Sequence, residues 1–135
     1  NDIFQKFEFG KMIQIGEGTA ATVFATGVVV QEAIKAKEEL ETKGINIRVV
    51  DVHTIKPIDK DMIIKCAKET EKLISIEDHS VIGGLGTAIS EVLIDSCPTK
   101  LIKMGINDTF GQSGKAQDLL EYYGLTKDSI IEKIM

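Results

Sequence analysis

The stretch from Leu73 to Ser96, LISIEDHSVIGGLGTAISEVLIDS, limits the possible folds more than any other part of the chain. Leu73, Ile74 and Ile76 make a short apolar run of the kind that forms a buried strand. Polarity rises sharply at Glu77, Asp78 and His79, and Gly83-Gly84-Leu85-Gly86 comes next. Leu85, Ala88, Ile89, Val92 and Leu93 then recur at i, i+3, i+4, i+7 and i+8, one oily face of a helix. A strand, a glycine-rich turn and a helix are half of a βαβ unit, and the flanking sequence reads as further units of that kind.

Upstream, a strand is expected over Lys11 to Ile15, closed by Gly16-Glu17-Gly18. That turn is too short for a helical crossover, so this strand must run antiparallel to the next one in the chain or lie across the sheet. Ala20 to Ala25 reads as a buried strand. The helix after Thr26-Gly27 carries Val29, Ala33, Ala36 and Leu40 on one face and stops at Gly44. Ile45 to Val52 is the next strand. Asp59 fits an N-cap, with Ile58 and Ile63 as a hydrophobic staple, for a helix running to about Glu69 and burying Ile63, Cys66 and Ala67. Pro98 ends the organising helix, and Lys100 to Ile106 reads as the last strand. Ser113 suits the cap of a helix with Ala116, Leu119, Leu120 and Tyr123 inside. A second staple, Leu125 with Ile130, starts a final helix that buries Ile130, Ile131 and Ile134. Strands alternating with helices predict an α/β fold in three αβα layers, its sheet largely parallel. Residues 1–10 read as a lead-in segment or linker remnant, and residues 11–135 as one domain.

Composition narrows the function classes. A net charge of −5 disfavours phosphate backbones, so no nucleic-acid partner is expected. Arg48 is the sole arginine among 16 basic residues, which argues against a dedicated phosphate clamp. Cys66 and Cys97 have neither CxxC nor zinc spacing, so buried thiols in a reducing cytosol are expected rather than a metal site. No apolar run approaches the roughly 18 residues that would span a bilayer, so no membrane partner is expected. The start at Asn1, without an initiator Met, leads us to expect a section of a longer polypeptide.

Several residues invite a chemical reading beside a structural one. His53 and His79 fall at the carboxyl ends of strands, where open α/β sheets usually hold ligands, and Glu77 and Asp78 stand ready to tune His79. The plainer account is a wet strand end whose side chains bond the turn, and no nucleophile elbow argues otherwise. Gly83, Gly84 and Gly86 open a helix, whose free N–H groups attract anions. They lack the GxGxxG dinucleotide spacing, however, and suit a tight turn with close helix–sheet approach. Phe110-Gly111-Gln112-Ser113-Gly114-Lys115 is either a backbone nest for an anion or a turn.

Taken together, the motifs resemble one family. They are ATG at Ala25 to Gly27, VVDVHTIKPID from Val49, IEDHSVIGGLGTAISEVL from Ile76 and GINDTFGQSGKAQDLLEYYGLT from Gly105. In this order and spacing they are similar to the C-terminal domain of transketolase, from about Phe7 to the end. Related domains occur in deoxyxylulose-phosphate synthase and in the β subunits of 2-oxo-acid dehydrogenases. Glu77 to His79, and Phe110, Gly111, Ser113 and Gly114, look like the transketolase branch, in which some bacteria split the enzyme into two polypeptides.

The resemblance implies a five-stranded mixed sheet with its first strand antiparallel. It also implies a transferase that moves a two-carbon ketol unit between sugar phosphates in the pentose phosphate pathway. That enzyme is a cytoplasmic dimer using thiamine diphosphate and a divalent cation, Mg or Ca. The family's diphosphate–metal motif, GDG followed by an Asn, belongs to another domain and is absent here. Catalytic, cofactor-binding and metal residues carried over from the family therefore land on none of this chain. A non-catalytic role is the consequence, packing against the other transketolase domains or an N-terminal subunit and supporting a homodimer. A rival reading is a regulatory module binding a small anion near His53, His79 and the GGLG turn.

Overall fold

In the computed structural model, residues 10–80, 84–106, 120–121 and 124–135 are described. Five strands form one sheet: β1 (Ile13–Ile15), β2 (Thr22–Ala25), β3 (Arg48–Asp51), β4 (Leu73–Ser80) and β5 (Leu101–Ile106). Between and after them lie α1 (Val29–Glu41), α2 (Lys60–Glu69), α3 (Leu85–Ser96) and α4 (Lys127–Ile134). The spatial order is β1-β3-β2-β4-β5. β1 runs antiparallel to β3, and every other pairing is parallel. β1 pairs with β3 rather than with β2, its successor in the chain, so the short turn after β1 does not bear on its sense, and the antiparallel first strand is the one the family resemblance implied.

Strand alternation splits the interior in two. On one face Val23, Ala25, Val49, Ile74 and Ile76 pack under α1 and α4, joined by Ala33, Ala36, Leu40 and Ile130. On the other face Phe24, Val50 and Leu73 pack under α2 and α3 with Ile63, Ile89 and Leu93. The central strand β2 is buried at all four positions, as a strand covered on both sides must be.

Strand boundaries differ from expectation, β1 starting at Ile13 rather than Lys11 and β2 at Thr22 rather than Ala20. β3 starts at Arg48, not Ile45, because the chain there lies against the Gly16–Gly18 turn: the Ala20 N–H donates to the Asn46 carbonyl at 3.1 Å. β4 extends through the polar residues to Ser80, since the parallel neighbour β5 continues beside it. Asp59 is the N-cap of α2, its Oδ1 accepting from the Met62 N–H at 3.2 Å, and Ile58 precedes it as expected. Ala67 and Ile134 are half-buried rather than inside, and Cys97 is partly exposed while Cys66 is buried. The expectation for the first nine residues of the lead-in segment, and that for the helix face of Ala116, Leu119 and Tyr123, lie outside the described residues.

Candidate functional site

Parallel strands deliver their carboxyl ends to one edge of the sheet, and the residues singled out in the sequence meet there. Ala25 of β2 lies opposite both Asp51 of β3 and Ile76 of β4. Thr26 and Gly27, Val52 and His53, and Glu77 and Asp78 therefore lie side by side at this edge, where β2 and β3 end and β4 runs on to Ser80. Between Ile76 and Ser80 β4 advances four residues while β5 advances two, from Met104 to Ile106. This irregularity falls on Glu77-Asp78-His79, and a bulge re-aims side chains where it occurs.

Glu77 turns toward α3 and is buried, 1% exposed. Its two oxygens accept the N–H groups of Leu85 at 2.8 Å and Gly86 at 3.0 Å. The first turn of α3 has Gly84 as its N-cap, with no side-chain oxygen of its own, so the strand supplies the missing acceptor. A carboxylate also suits the positive end of the helix dipole. Gly86 sits hard against the sheet: a Cβ there would lie 2.9 Å from the Ser75 hydroxyl and 3.0 Å from the Lys103 side chain. The close helix–sheet approach expected for this turn is located at Gly86.

Asp78 points to the opposite face. A Cβ on Gly27, whose φ is +68°, would come 3.2 Å from its Oδ1. The carboxylate thus stands beside the residue leading into α1. Asp51 sits on that face too, by alternation from Val49. Burial pushes its pKa above the usual carboxylate range, and the neighbouring His53 draws it partly back. Asp59 and Glu32 complete a pattern. Asp59 caps α2 and also accepts the buried Met12 N–H at 2.9 Å, while Glu32 of α1, 5% exposed, accepts the Lys127 N–H that opens α4 at 2.9 Å. Each described helix therefore has a carboxylate at its N-terminus, drawn from elsewhere in the chain except at α2.

Of the expected site residues, Glu77, Asp78, His53, Gly84 and Gly86 are brought to this edge, and the backbone of His79 continues β4 there. The side chain of His79, and Gly83, Phe110, Gly111, Ser113 and Gly114, lie outside the described residues. Asp51 and Glu32 were missed. The signal for Glu32 was available, since it falls one turn after Val29 on the inner face of α1, where an acid needs a buried donor. Among the described residues no group of three or more His, Cys, Asp or Glu side chains is placed to hold a metal ion, and no helix is long and apolar enough to cross a membrane.

Comparison with known proteins gives a consistent set of likenesses. The family model for the transketolase C-terminal domain matches residues 10–130. A Methanocaldococcus jannaschii protein, provisionally described as a transketolase C-terminal section, is 46% identical over 96% of this chain and 40% of its own length. A 6-deoxy-6-sulfo-D-fructose transketolase subunit of Clostridium sp. is 41% identical over 93% of this chain and 39% of its own length. A solved split-gene transketolase, an inactive beta4 tetramer, superposes with a TM-score of 0.88 at 41% identity, covering 95% of this chain and 42% of that one. The chain thus spans about 40% of the length of these relatives.

Proposed function

Because this chain belongs to the transketolase C-terminal domain family, we infer that it is the non-catalytic, assembly-supporting domain of a cytoplasmic thiamine-diphosphate-dependent transketolase. Its five-stranded sheet, antiparallel first strand and helix layers are those of the split-gene transketolase neighbour. The observation that carries the reading is the use made of the sheet's carboxyl edge. A ligand at the start of α3 would need the Leu85 and Gly86 N–H groups, and Glu77 already holds both. An incoming anion there would have to displace a buried carboxylate, and on the opposite face it would meet the negative charge of Asp78 and Asp51. That same charge weighs against the regulatory anion module.

In this reading the ketol-transfer chemistry, with thiamine diphosphate and its divalent cation, resides in polypeptide outside this chain. The domain contributes a rigid sheet against which the other transketolase domains, or an N-terminal subunit, pack within a dimer. The pentose phosphate pathway is the expected setting. Two measurements test it. Titration calorimetry with thiamine diphosphate and Mg on the chain alone is expected to give no heat of binding, and tight binding would sink the proposal. Mixing the chain with the missing transketolase domains is expected to restore ketol transfer from a ketose phosphate. A preference for pyruvate as donor in that mixture would instead place it with deoxyxylulose-phosphate synthase or the 2-oxo-acid dehydrogenases.

A further inference from the structure

Two hollows adjoin on the surface of the layer formed by α2 and α3. The first, about 410 Å³, is lined by Gly10 and Lys11 and by the turn from Pro57 into α2. The second, about 330 Å³, shares Pro57, Ile58 and Lys60 with it and runs on to α3. Ile55, Ile58, Ala88 and Val92 give the second hollow an apolar lining. Its rims differ in charge, with Lys56 and Lys60 on one and Glu91 and Asp95 of α3 on the other. All four are exposed, and none is ion-paired to a described residue. The chain enters at the first hollow. Gly10 rests on Pro57, and a Cβ there would come 3.1 Å from the ring Cγ.

We propose that the second hollow is the seat of this chain's own lead-in segment, residues 1–9, with Phe7 as the anchor. Those residues lie outside the described ones, so the proposal is argued from the surface they adjoin and from their sequence. Reach comes first. Three residues of extended chain span about 10 Å, and the hollow that holds Gly10 opens into the one proposed for Phe7. Charge order comes second. Upstream from Gly10 the chain presents Glu8, Phe7 and Lys6 in turn. Outward from Gly10 the surface presents Lys60, which borders both hollows, then the apolar lining, then Glu91 and Asp95. Acid, ring and base thus meet base, apolar lining and acid in the same sequence. Extended backbone sends Phe7 to one side and Lys6 and Glu8 to the other, which suits a ring lowered between two exposed rims. A separate partner would have to carry the same pattern and also lose its translational freedom, whereas a tethered segment starts at high effective concentration. The proposal goes beyond the assembly role above and does not depend on it.

The test is disulfide trapping in the full chain with Cys97→Ser, Cys66 being buried. Phe7→Cys is combined with Ala88→Cys in the hollow, or with Ile94→Cys, which is 72% exposed and outside its lining. A disulfide needs Cα atoms within about 7 Å. With oxidised glutathione at low salt, the residue 88 pair is expected to close within one chain, at a rate independent of protein concentration. The residue 94 pair is expected to close at least about tenfold more slowly. Lys6→Glu with Glu8→Lys keeps the net charge but faces each rim with its own sign, and is expected to slow trapping about threefold or more. Adding Lys60→Glu with Glu91→Lys is expected to restore it.

Equal trapping at residues 88 and 94, or none at either, overturns the proposal. So does a disulfide at twice the chain mass, which would hand the hollow to a second copy, or a rate that ignores the charge exchange or its reversal. Restored ketol transfer in the domain-mixing assay, alongside failed trapping, would remove this contact and leave the proposed function standing.

Discussion

Gly18 has no space for a side chain: a Cβ there would lie 2.2 Å from the carbonyl carbon and oxygen of Asn46. Because the obstacle is backbone, Gly18→Ala is expected to cost about 3 kcal/mol, read from the urea midpoint. Gly44 offers the contrast. Its φ is +78° with nothing within 4 Å, so Gly44→Ala carries only the left-handed penalty of about 1 kcal/mol. Glu77 is the residue on which the site turns. Glu77→Ala strands two buried N–H donors and is expected to cost about 3 kcal/mol or more, whereas Glu77→Gln keeps an acceptor and costs about half that. Equal losses for the two would mean that a single retained acceptor is worth nothing and that both oxygens, with their charge, are needed. Asp51 adds a pH signature. A carboxyl whose folded pKa is raised favours the folded state below its unfolded value, and that advantage disappears as pH rises through the folded value. Asp51→Asn is therefore expected to raise the melting temperature at neutral pH and to leave it unchanged at about pH 3, below the ordinary aspartate value. The sequence displayed every one of these residues but not what each touches. Glu77 and Leu85 are eight positions apart, and Gly18 and Asn46 further still.

α4 shows how an element too short to stand alone is held. Eight residues do not form a stable isolated helix in water. Ile130 and Ile131 bury it beside α1, and Leu125 just ahead joins the same cluster, as the staple pattern anticipated. Its two ends are then clamped by opposite charges. Glu32 accepts from the Lys127 N–H, and at the far end Lys72 donates to the Lys133 carbonyl at 2.8 Å and the Ile134 carbonyl at 3.2 Å. Both charges suit the helix dipole. Glu32→Ala is expected to speed hydrogen exchange of the α4 amides about tenfold relative to those of α3. Unchanged α4 protection would show that apolar packing alone holds it. The Lys127 ammonium also bonds Glu39, lowering the Glu39 pKa and raising its own. The Glu39 contribution is lost as pH falls through its lowered folded value, and the Lys127 contribution as pH rises through its raised one. Docking of α4 is therefore strongest between the ordinary carboxylate and lysine values.

At the scale of the molecule, one sheet serves two apolar layers, and neither layer exists without it. β2 contributes Val23 and Ala25 to one side and Phe24 to the other, all fully buried. Truncation on either face should thus weaken the same cooperative unit. Leu40→Ala under α1 and Ile89→Ala under α3 are each expected to cost about 2–5 kcal/mol. That is a large share of the about 5–15 kcal/mol that holds a domain of this class. Both variants should melt in a single transition by calorimetry and circular dichroism; two separated transitions in either would show that the layers unfold independently.

The sequence by itself determined the alternation of strands and helices, the inner faces of α1, α2 and α3, and the Asp59 cap. Those features depend on local periodicity and caps, which neighbouring residues encode. The tertiary structure alone decided that β1 pairs with β3, that β4 continues through Glu77 to Ser80, and that Glu77 and Glu32 reach helices from other elements. A buried carboxylate takes whatever donors the fold brings to it, and which helix start that is depends on how strands far apart in the chain come to lie in one sheet.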